Sequence, residues 1–284
     1  MPFVTVGKEN SGDIELYYED HGHGRPIVLI HGYPLSGRAW EKQIPTLVDL
    51  GYRVITYDRR GFGHSSQPWS GYNYDTFADD LHQLVTELDL RDFLLMGHSM
   101  GGGEVARYLG KHGGNVSKAV FLAGIPPYLR KASDNPEGVD GKVFDGIAKA
   151  VVADRPAFFR QFFADFYNVD KFGGKLISED DLLANWITAV SASPKAALDC
   201  VGTWGTDFRN DLKQINIPTL TIQGDADRIV PFVSAGKRMP EFIKGNKLVV
   251  IQGAPHGLAW THAEQVNRAV AEFVGKAAQT SKVA

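Results

Sequence analysis

A chain of 284 residues is long enough to bury one large core, as a single domain or as one domain with an insertion. Its 30 basic and 33 acidic residues give a net charge of −3, and the absence of any basic run or stripe argues against a nucleic-acid partner. The single cysteine, Cys200, excludes an internal disulfide framework and a cysteine-rich metal site.

The N-terminal residues 1–13 have neither the basic region nor the apolar core of a secretory signal. No apolar run approaches the ~18 residues that a membrane helix needs. We therefore expect a cytoplasmic protein that has no membrane partner.

Strands and helices alternate in the first part of the chain. Apolar runs predict strands at residues 14–20, 26–30, 53–58, 93–96 and 118–124. Between them, helical spacing of apolar residues predicts helices over 40–48 and 77–88. This order is typical of a parallel sheet that is covered by helices on both faces.

The alternation stops after residue 125, and no convincing strand follows until about residue 212. Asp154 is a predicted N-cap, with Pro156 in the first turn of a helix that carries five phenylalanines. Their broad apolar face, which includes Phe162, is explained either by core packing or by a pocket lining. We predict that residues 127–212 form a helical cap over a core domain made of residues 1–126 and 213–284.

The sheet pattern resumes with strands at 219–223 and 247–251. A helix is predicted over roughly residues 231–243 between them. The sequence from Thr261 to Glu264 has the pattern of a capping box, which would begin the last helix and leave His262 facing solvent.

The segment from Gly97 to Gly101 has the sequence G-x-S-x-G between a predicted strand and a predicted helix, which is the context of a nucleophile elbow. At such a turn the hydroxyl of Ser99 stands clear of the sheet, in a backbone conformation that is usually strained. Side chains two residues before and after would collide with neighbouring backbone, so glycine is needed at both positions.

Three loops that follow parallel strands carry polar groups for nucleophilic catalysis. They contain Ser99, the acid pair Asp225 and Asp227, and His256, in the order of the α/β-hydrolase triad. His256 would take the proton of Ser99, and the acid would orient the imidazole. We favour Asp227, which lies further into its loop, while Asp225 stays open as the alternative.

Two backbone N–H groups are expected to form the oxyanion hole. One belongs to Met100, directly after the nucleophile, and the other to Tyr33 in the loop that follows the strand at 26–30. Pro34 has no N–H to donate. We assign Tyr33, Pro34, Phe162 and Ile229 to substrate binding, and we predict no metal site.

Five motifs lie in order along nearly the whole chain: H-G-Y-P (31–34), D-R-R-G-F-G-H-S (58–65), G-H-S-M-G-G-G (97–103), G-D-A-D-R-I-V-P (224–231) and A-P-H-G (254–257). Together they resemble the serine-dependent α/β-hydrolases, and most closely the cofactor-free (non-haem) haloperoxidase, perhydrolase and aryl esterase branch.

The resemblance implies an α/β-hydrolase fold, a mostly parallel sheet with helices on both faces and an inserted helical cap. It also implies Ser99, Asp227 and His256 as the triad, with Tyr33 and Met100 as oxyanion donors. Members hydrolyse small carboxylic esters, and with hydrogen peroxide they convert carboxylic acids into peracids that oxidise halide, without a cofactor. Many assemble as trimers or dimers of trimers. A proline after the aromatic oxyanion residue, as at Pro34, accompanies perhydrolase activity.

Two alternative functions fit the same residues. A lactone or γ-lactam hydrolase would use the same triad on a cyclic substrate. A non-catalytic ligand-binding protein of this fold would be expected to lack a triad member, and none is missing here. A dehalogenase or epoxide hydrolase would need an acid at position 99, which is serine.

Overall fold

The computed structural model describes residues 2–277 and contains one sheet of eight strands. The strands are β1 (Phe3–Glu9), β2 (Gly12–Gly22), β3 (Arg25–Ile30), β4 (Tyr52–Tyr57), β5 (Phe93–His98), β6 (Val116–Leu122), β7 (Thr219–Gly224) and β8 (Lys247–Ile251). Seven of them match the strands predicted from apolar runs, with ends that differ by a few residues.

Eleven α-helices connect and cover the strands of the described chain. They are α1 (Ile44–Asp49), α2 (Tyr74–Glu87), α3 (Met100–His112), α4 (Gly141–Phe166), α5 (Val169–Phe172), α6 (Glu179–Ser191), α7 (Pro194–Thr203), α8 (Arg209–Leu212), α9 (Met239–Phe242), α10 (Leu258–Thr261) and α11 (Ala263–Val274). Two short 3-10 helices lie at Gly37–Trp40 and Gly236–Arg238. Within residues 2–277, no helix has the length and apolar character needed to span a membrane.

The strand order is β1-β2-β4-β3-β5-β6-β7-β8. The first two strands pair antiparallel with each other, and β2 pairs antiparallel with β4. All other neighbours are parallel. The carboxyl ends of the parallel strands therefore share one edge, where β5, β7 and β8 lead into the loops that carry the predicted site residues.

Alternate residues of β3 enter two cores on opposite faces of the sheet. Val28 and Ile30 belong to a core that also contains residues of α2, α3 and α4. Ile27 and Leu29 belong to a second core with residues of α1, α10 and α11. Because side chains alternate along a strand, the four apolar residues 27–30 require that β3 be covered on both faces.

The strand β1 is missing from the sequence-based prediction. Val4 is its only buried residue, so the segment has no apolar alternation of its own to detect. It is held by antiparallel pairing with β2 across a turn in which Asn10 has φ 53°. Its position depends on its partner strand.

Helices α4 to α8 lie between β6 and β7, where the helical cap was predicted. The predicted N-cap at Asp154 is a bend inside α4, with φ −158° and ψ 87°. Its side chain accepts the N–H of Ala157 at 3.0 Å, so the capping interaction is present locally. The helix itself begins earlier, at Gly141, where the side chain of Asp140 accepts from Lys142.

Two predictions near the C-terminal end are wrong, the helix over residues 231–243 and the capping box of the last helix, whereas that last helix is present as α11. Residues 231–243 contain only the short 3-10 helix and α9, because the Gly236 N–H is bonded to the side chain of Gln223 at 2.8 Å instead of to a helical carbonyl. The capping box is absent because His262 is the N-cap of α11 and its side chain makes no capping bond, while the Thr261 hydroxyl donates back to Gly257 O. His262 is half-buried, with its ring 5.4 Å from that of Phe172.

Candidate active site

Ser99 lies at the sharp turn between β5 and α3. Its backbone has φ 55° and ψ −118°, a region that non-glycine residues rarely occupy. The turn is held by the Ser99 N–H, which donates to Leu122 O at 2.9 Å, and by the Ser99 carbonyl, which accepts from Gly102 at 2.9 Å. These hydrogen bonds hold the strained conformation in place. In it the Ser99 side chain lines the cavity described below.

The two glycines of the elbow have no room for a side chain. A Cβ at Gly97 would lie 2.3 Å from Gly101 O, and a Cβ at Gly101 would lie 2.3 Å from Ile30 O. Both obstacles are backbone atoms, which cannot move aside as a flexible side chain can. The G-x-S-x-G spacing is therefore a packing requirement of the turn.

Asp227 and His256 are brought together by the loops after β7 and β8. The His256 Nδ1 lies 2.8 Å from Asp227 Oδ2, and both side chains are fully buried. The same Oδ2 accepts from Gln223 Nε2 at 3.1 Å, while Oδ1 accepts the N–H groups of Ile229 and Val230 at 2.9 and 2.8 Å. Four hydrogen-bond donors, one from His256 and three from β7 and the loop after it, thus fix the carboxylate.

Asp225 is exposed and does not contact His256. Its Oδ1 accepts the N–H of Gly253 at 2.6 Å and so joins the loop after β7 to the turn after β8. Gln223, which the sequence analysis did not single out, bonds Asp227, Val230 O and Gly236 N at once. A glutamine at the end of an apolar strand was the only signal for it.

The Nε2 of His256 is buried and has no hydrogen-bond partner among the described residues. The backbone carbonyl of His256 accepts from Nε2 of His98 at 3.1 Å, which joins its loop to the elbow. Burial, together with the neighbouring His256, lowers the pKa of His98 to about 3. His98 is therefore neutral at pH 7 and donates from Nε2.

His31 has a structural role in the loop after β3. Its Nδ1 bonds Gly32 O at 2.9 Å, and its Nε2 accepts the N–H of Arg59 at 3.0 Å. With both ring nitrogens in use, His31 is not a candidate base. The next residues carry the predicted oxyanion donor.

Tyr33 is buried, and its hydroxyl donates to Ala197 O at 2.8 Å in α7. Within the described chain its N–H makes no backbone hydrogen bond, and the N–H of Met100 has no acceptor because it begins α3. Both groups are therefore free to bind a ligand oxygen. Pro34 is buried and is joined to Tyr33 by a cis peptide bond.

A buried ion pair that the sequence analysis did not identify lies beneath this region. Arg59 Nε donates to Glu104 Oε2 at 2.7 Å, and Tyr57 also donates to Glu104. Burial raises the pKa of Glu104, and the Arg59 charge opposes that rise. Arg59 also donates to His31 O at 3.0 Å, so the pair ties α3 to the loop that carries Tyr33.

A cavity of about 220 Å³ opens at Ser99. Its lining is mostly apolar and includes Tyr33, Phe162 and Ile229, three of the four residues assigned to substrate binding. Pro34 is not among the lining residues. The ring of Tyr33 lies 5.0 Å from Trp204 and 5.9 Å from Phe162, both of which face the cavity from the helices between β6 and β7.

The polar groups of the lining are few. Gln161, Asp165 and Arg228 accompany Ser99, and Arg228 is paired with Asp170 at 2.8 Å. In the part of the chain that the structure describes, no three histidine, cysteine, aspartate or glutamate side chains are grouped so that they could hold a metal ion.

The fold and this site together define the class. The sheet is mostly parallel, and a strained serine elbow lies at the end of β5. A buried acid–imidazole pair lies on the loops after β7 and β8. This is the arrangement of α/β hydrolases. The model of the alpha/beta hydrolase fold family matches residues 25–263, and the chain belongs to that family.

Similarity to individual proteins confirms the branch of the family. The chain is 44% identical to a non-heme chloroperoxidase of Kitasatospora aureofaciens, over 97% of this chain and 100% of the relative. It is 35% identical to a bifunctional esterase/perhydrolase of Acinetobacter calcoaceticus, over 96% and 99%. The crystal structure of a bromoperoxidase from Bacillus anthracis matches 96% of this chain and 99% of its own, with 51% identity and a TM-score of 0.92.

Proposed function

We propose that the protein hydrolyses small carboxylic esters through an acyl intermediate on Ser99, and that it also forms peracids from carboxylic acids and hydrogen peroxide. One observation carries the proposal. A buried imidazole is bonded to Asp227 through Nδ1 and has a free Nε2, and its ring lies 5.0 Å from that of His98, the residue before the strained serine that opens into a cavity. The similarity to an esterase/perhydrolase and to non-heme haloperoxidases supports the same chemistry.

In the acylation step His256 Nε2 takes the proton of the Ser99 hydroxyl as its oxygen attacks the ester carbonyl. The imidazolium that forms is stabilised by Asp227, which accepts from Nδ1 and keeps the ring in the required tautomer. His256 then gives the proton to the departing alcohol, and the acyl group stays on Ser99.

The oxygen that becomes negative in this step needs two hydrogen-bond donors. We assign the N–H groups of Tyr33 and Met100, which have no other acceptor in the described chain. Removing one such donor typically costs ~3 kcal/mol of transition-state stabilisation. Met100 also lies at the positive end of α3, which favours the negative charge.

Deacylation decides the product. Water attacks the acyl group to give a carboxylic acid, while hydrogen peroxide gives a peracid, and His256 accepts the proton of either nucleophile. The peracid can then oxidise halide outside the site and is itself reduced to the carboxylic acid. No metal or cofactor takes part in this scheme.

The cavity indicates the substrate class. About 220 Å³ of mostly apolar space suits a compact acyl or aryl group and excludes a long polar chain. The alternative is a lactone or γ-lactam hydrolase with the same triad. A panel of short acyl esters, lactones and lactams separates the two, and we expect the acyl esters to have the higher kcat/KM.

A fluorophosphonate probe tests the mechanism directly, because it reacts with an activated serine. Intact-mass analysis followed by peptide mapping should show one adduct, on Ser99, in the wild-type protein and none in Ser99→Ala. An adduct on another serine, or no adduct with an active enzyme, contradicts the proposal. Activity should also survive dialysis against EDTA, and a specific metal requirement would overturn the serine-only scheme.

We further propose that residues 127–212 act as a cap domain over a core of residues 1–126 and 213–284. The helices between β6 and β7 supply Phe162 and Trp204 to the cavity, which supports this division. Assembly into trimers or dimers of trimers is proposed from the family resemblance, and a cytoplasmic location is proposed from the sequence. Light scattering after size exclusion and cell fractionation test them.

A further inference from the structure

The turn that follows α4 contacts both loops that carry the acid–imidazole pair. The Gly257 N–H, next to His256, donates to Phe166 O at 2.7 Å. The Asn168 side-chain amide donates from Nδ2 to Ala226 O at 3.0 Å, next to Asp227. Residues 166–168 therefore bridge, through two hydrogen bonds to backbone, the loop after β7 and the loop after β8.

The conformation of Asn168 is unusual for a residue with a side chain. It is fully buried, with φ 48° and ψ 56°, in the left-handed region that asparagine tolerates better than most residues. Its Oδ1 is buried without a hydrogen-bond partner in the described chain. The bond from Nδ2 to Ala226 O is therefore the one side-chain hydrogen bond of this amide among the described residues.

Aromatic packing joins the same turn to the imidazole. The Phe166 ring lies 4.8 Å from the ring of His256, edge to face at 85°, and 5.8 Å from the ring of His98. A Cβ at Gly257 would lie 2.3 Å from the ring of Tyr167, so only glycine allows this approach. A displacement of the turn would therefore move the loop of His256.

An ion pair reinforces the contact at the surface. Arg228, the residue after Asp227, donates to Asp170 at 2.8 and 3.0 Å. Both side chains are partly exposed, and such pairs contribute little to stability. The buried Asn168 amide is the stronger constraint on the position of the loop.

We propose that Asn168 is a positioning residue for catalysis, which holds the Ala226–Asp227 peptide so that Asp227 Oδ2 stays within hydrogen-bond distance of His256 Nδ1. The inference rests on the proposed function, because it assigns a role to the same triad. Hydrogen bonds from Ile229, Val230 and Gln223 fix the carboxylate itself, and Asn168 holds the backbone that precedes it.

The test uses Asn168→Gly and Asn168→Ala in the full-length protein. Glycine keeps the left-handed backbone without strain and removes only the amide, whereas alanine removes the amide and adds strain. We expect both variants to lose at least about 10-fold in kcat, since small misplacements of catalytic groups cost up to about 100-fold. KM should stay within about twofold, because Asn168 does not line the cavity.

The pH profile separates positioning from general destabilisation. A carboxylate held less firmly stabilises the imidazolium less, so the acidic limb of the kcat/KM profile should move to lower pH in Asn168→Gly. The control is Asn135→Gly, which removes another buried amide; that amide donates to Tyr128 O and Arg130 O at 2.8 Å and accepts from Arg238, but it makes no hydrogen bond to Asp227, His256 or the residues next to them. It should lower the melting temperature and leave the acidic limb unchanged.

The outcomes are distinct. A wild-type kcat and pH profile in Asn168→Gly overturns the inference, and so does an equal shift of the profile in Asn135→Gly. Fluorophosphonate labelling of Ser99 in the wild-type protein, measured in parallel, keeps the two proposals apart. If Ser99 of the wild-type protein is not labelled, the proposed function itself is wrong. If the wild type is labelled normally and Asn168→Gly is labelled slowly, the result supports the positioning role.

Discussion

The Oδ2 of Asp227 and the Nδ1 of His256 are 2.8 Å apart in a site where neither side chain has any exposed surface. Asp225, two residues earlier, is exposed and bonds Gly253 instead. The two acids are close in sequence, but the side chain of Asp227 is buried and that of Asp225 is exposed. Only one of them can set the tautomer of the imidazole.

We therefore expect Asp227→Asn to lower kcat by about 10⁴-fold, because the amide favours the wrong tautomer. Asp225→Asn keeps an oxygen that can accept from Gly253, so kcat should change by less than about threefold and stability by less than about 1 kcal/mol. Steady-state kinetics on one ester with both purified variants make the comparison. The reverse order of effects would transfer the role to Asp225.

Ser99→Ala should abolish ester hydrolysis and leave the fold intact. The hydroxyl faces the cavity, and removing it leaves the hydrogen bonds of the elbow backbone in place. Losses of about 10⁴-fold or more in kcat are expected, because the triad acts as a unit. Circular dichroism and thermal melting check the fold. A variant that keeps a tenth of the wild-type rate would require another nucleophile.

Gly101→Ala should destabilise the protein as well as inactivate it. The new Cβ would lie 2.3 Å from Ile30 O and 2.9 Å from His31 O, which belong to β3 and the loop after it. Overpacking of this kind costs about 1–3 kcal/mol or more. Gly114→Ala is the matched control, since no atom lies within 4 Å of its Cβ position. Urea unfolding should show a change below about 0.5 kcal/mol for the control.

Much of this architecture is predictable because its strands and loops have local signals. The buried parallel strands are continuous apolar runs, and the elbow needs glycine at fixed positions for steric reasons. The strand β1 and the replacement of one long helix over residues 231–243 by two short ones depend on distant partners, β2 in one case and the Gln223 side chain in the other. Sequence patterns within the segment do not contain that information.

The same distinction applies to the site. Ser99, Asp227 and His256 follow strands and belong to recognisable motifs, so the sequence places them at one edge of the sheet. The contact between Asn168 and Ala226 joins residues 58 positions apart, through a buried amide with no motif around it. Only the packing of the helices after β6 brings that amide to the loop of Asp227.

Pro34→Leu tests the balance between peroxide and water. Proline fixes its own φ and restricts the residue before it, so the direction of the Tyr33 carbonyl depends on position 34. A carbonyl directed at the acyl enzyme could accept a hydrogen bond from attacking peroxide, worth ~1 kcal/mol in that transition state. We expect the ratio of perhydrolysis to ester hydrolysis, each as kcat/KM, to fall several-fold in the variant. An unchanged ratio would limit Pro34 to a scaffolding role.

Two buried histidines should make stability fall with acid. Burial lowers the pKa of His98 to about 3 and that of His31 well below its usual value, so both stay neutral in the folded protein while the unfolded chain binds protons near pH 6.5. The contribution of these histidines to the free energy of unfolding is therefore complete above pH 6.5. It is lost progressively as the pH falls, and for His98 this loss continues down to a pH of about 3. Between pH 7 and 5 the protonation of His98 in the unfolded chain should lower the free energy of unfolding by about 2 kcal/mol.

Acidic side chains that titrate in the same pH range also change the stability, so the effect of His98 has to be measured by comparing variants. Burial raises the pKa of Asp80 to about 6, so its contribution to stability rises as the pH falls and opposes the histidines. His98→Gln should therefore reduce the slope of unfolding free energy against pH by up to ~1.4 kcal/mol per unit below pH 6, whatever the other groups contribute. The control is His23→Gln on the exposed surface, which should leave the slope as it is in the wild type. Equal slopes for all three proteins, from urea unfolding at pH 5, 6 and 7, would contradict the assignment of a neutral, buried His98.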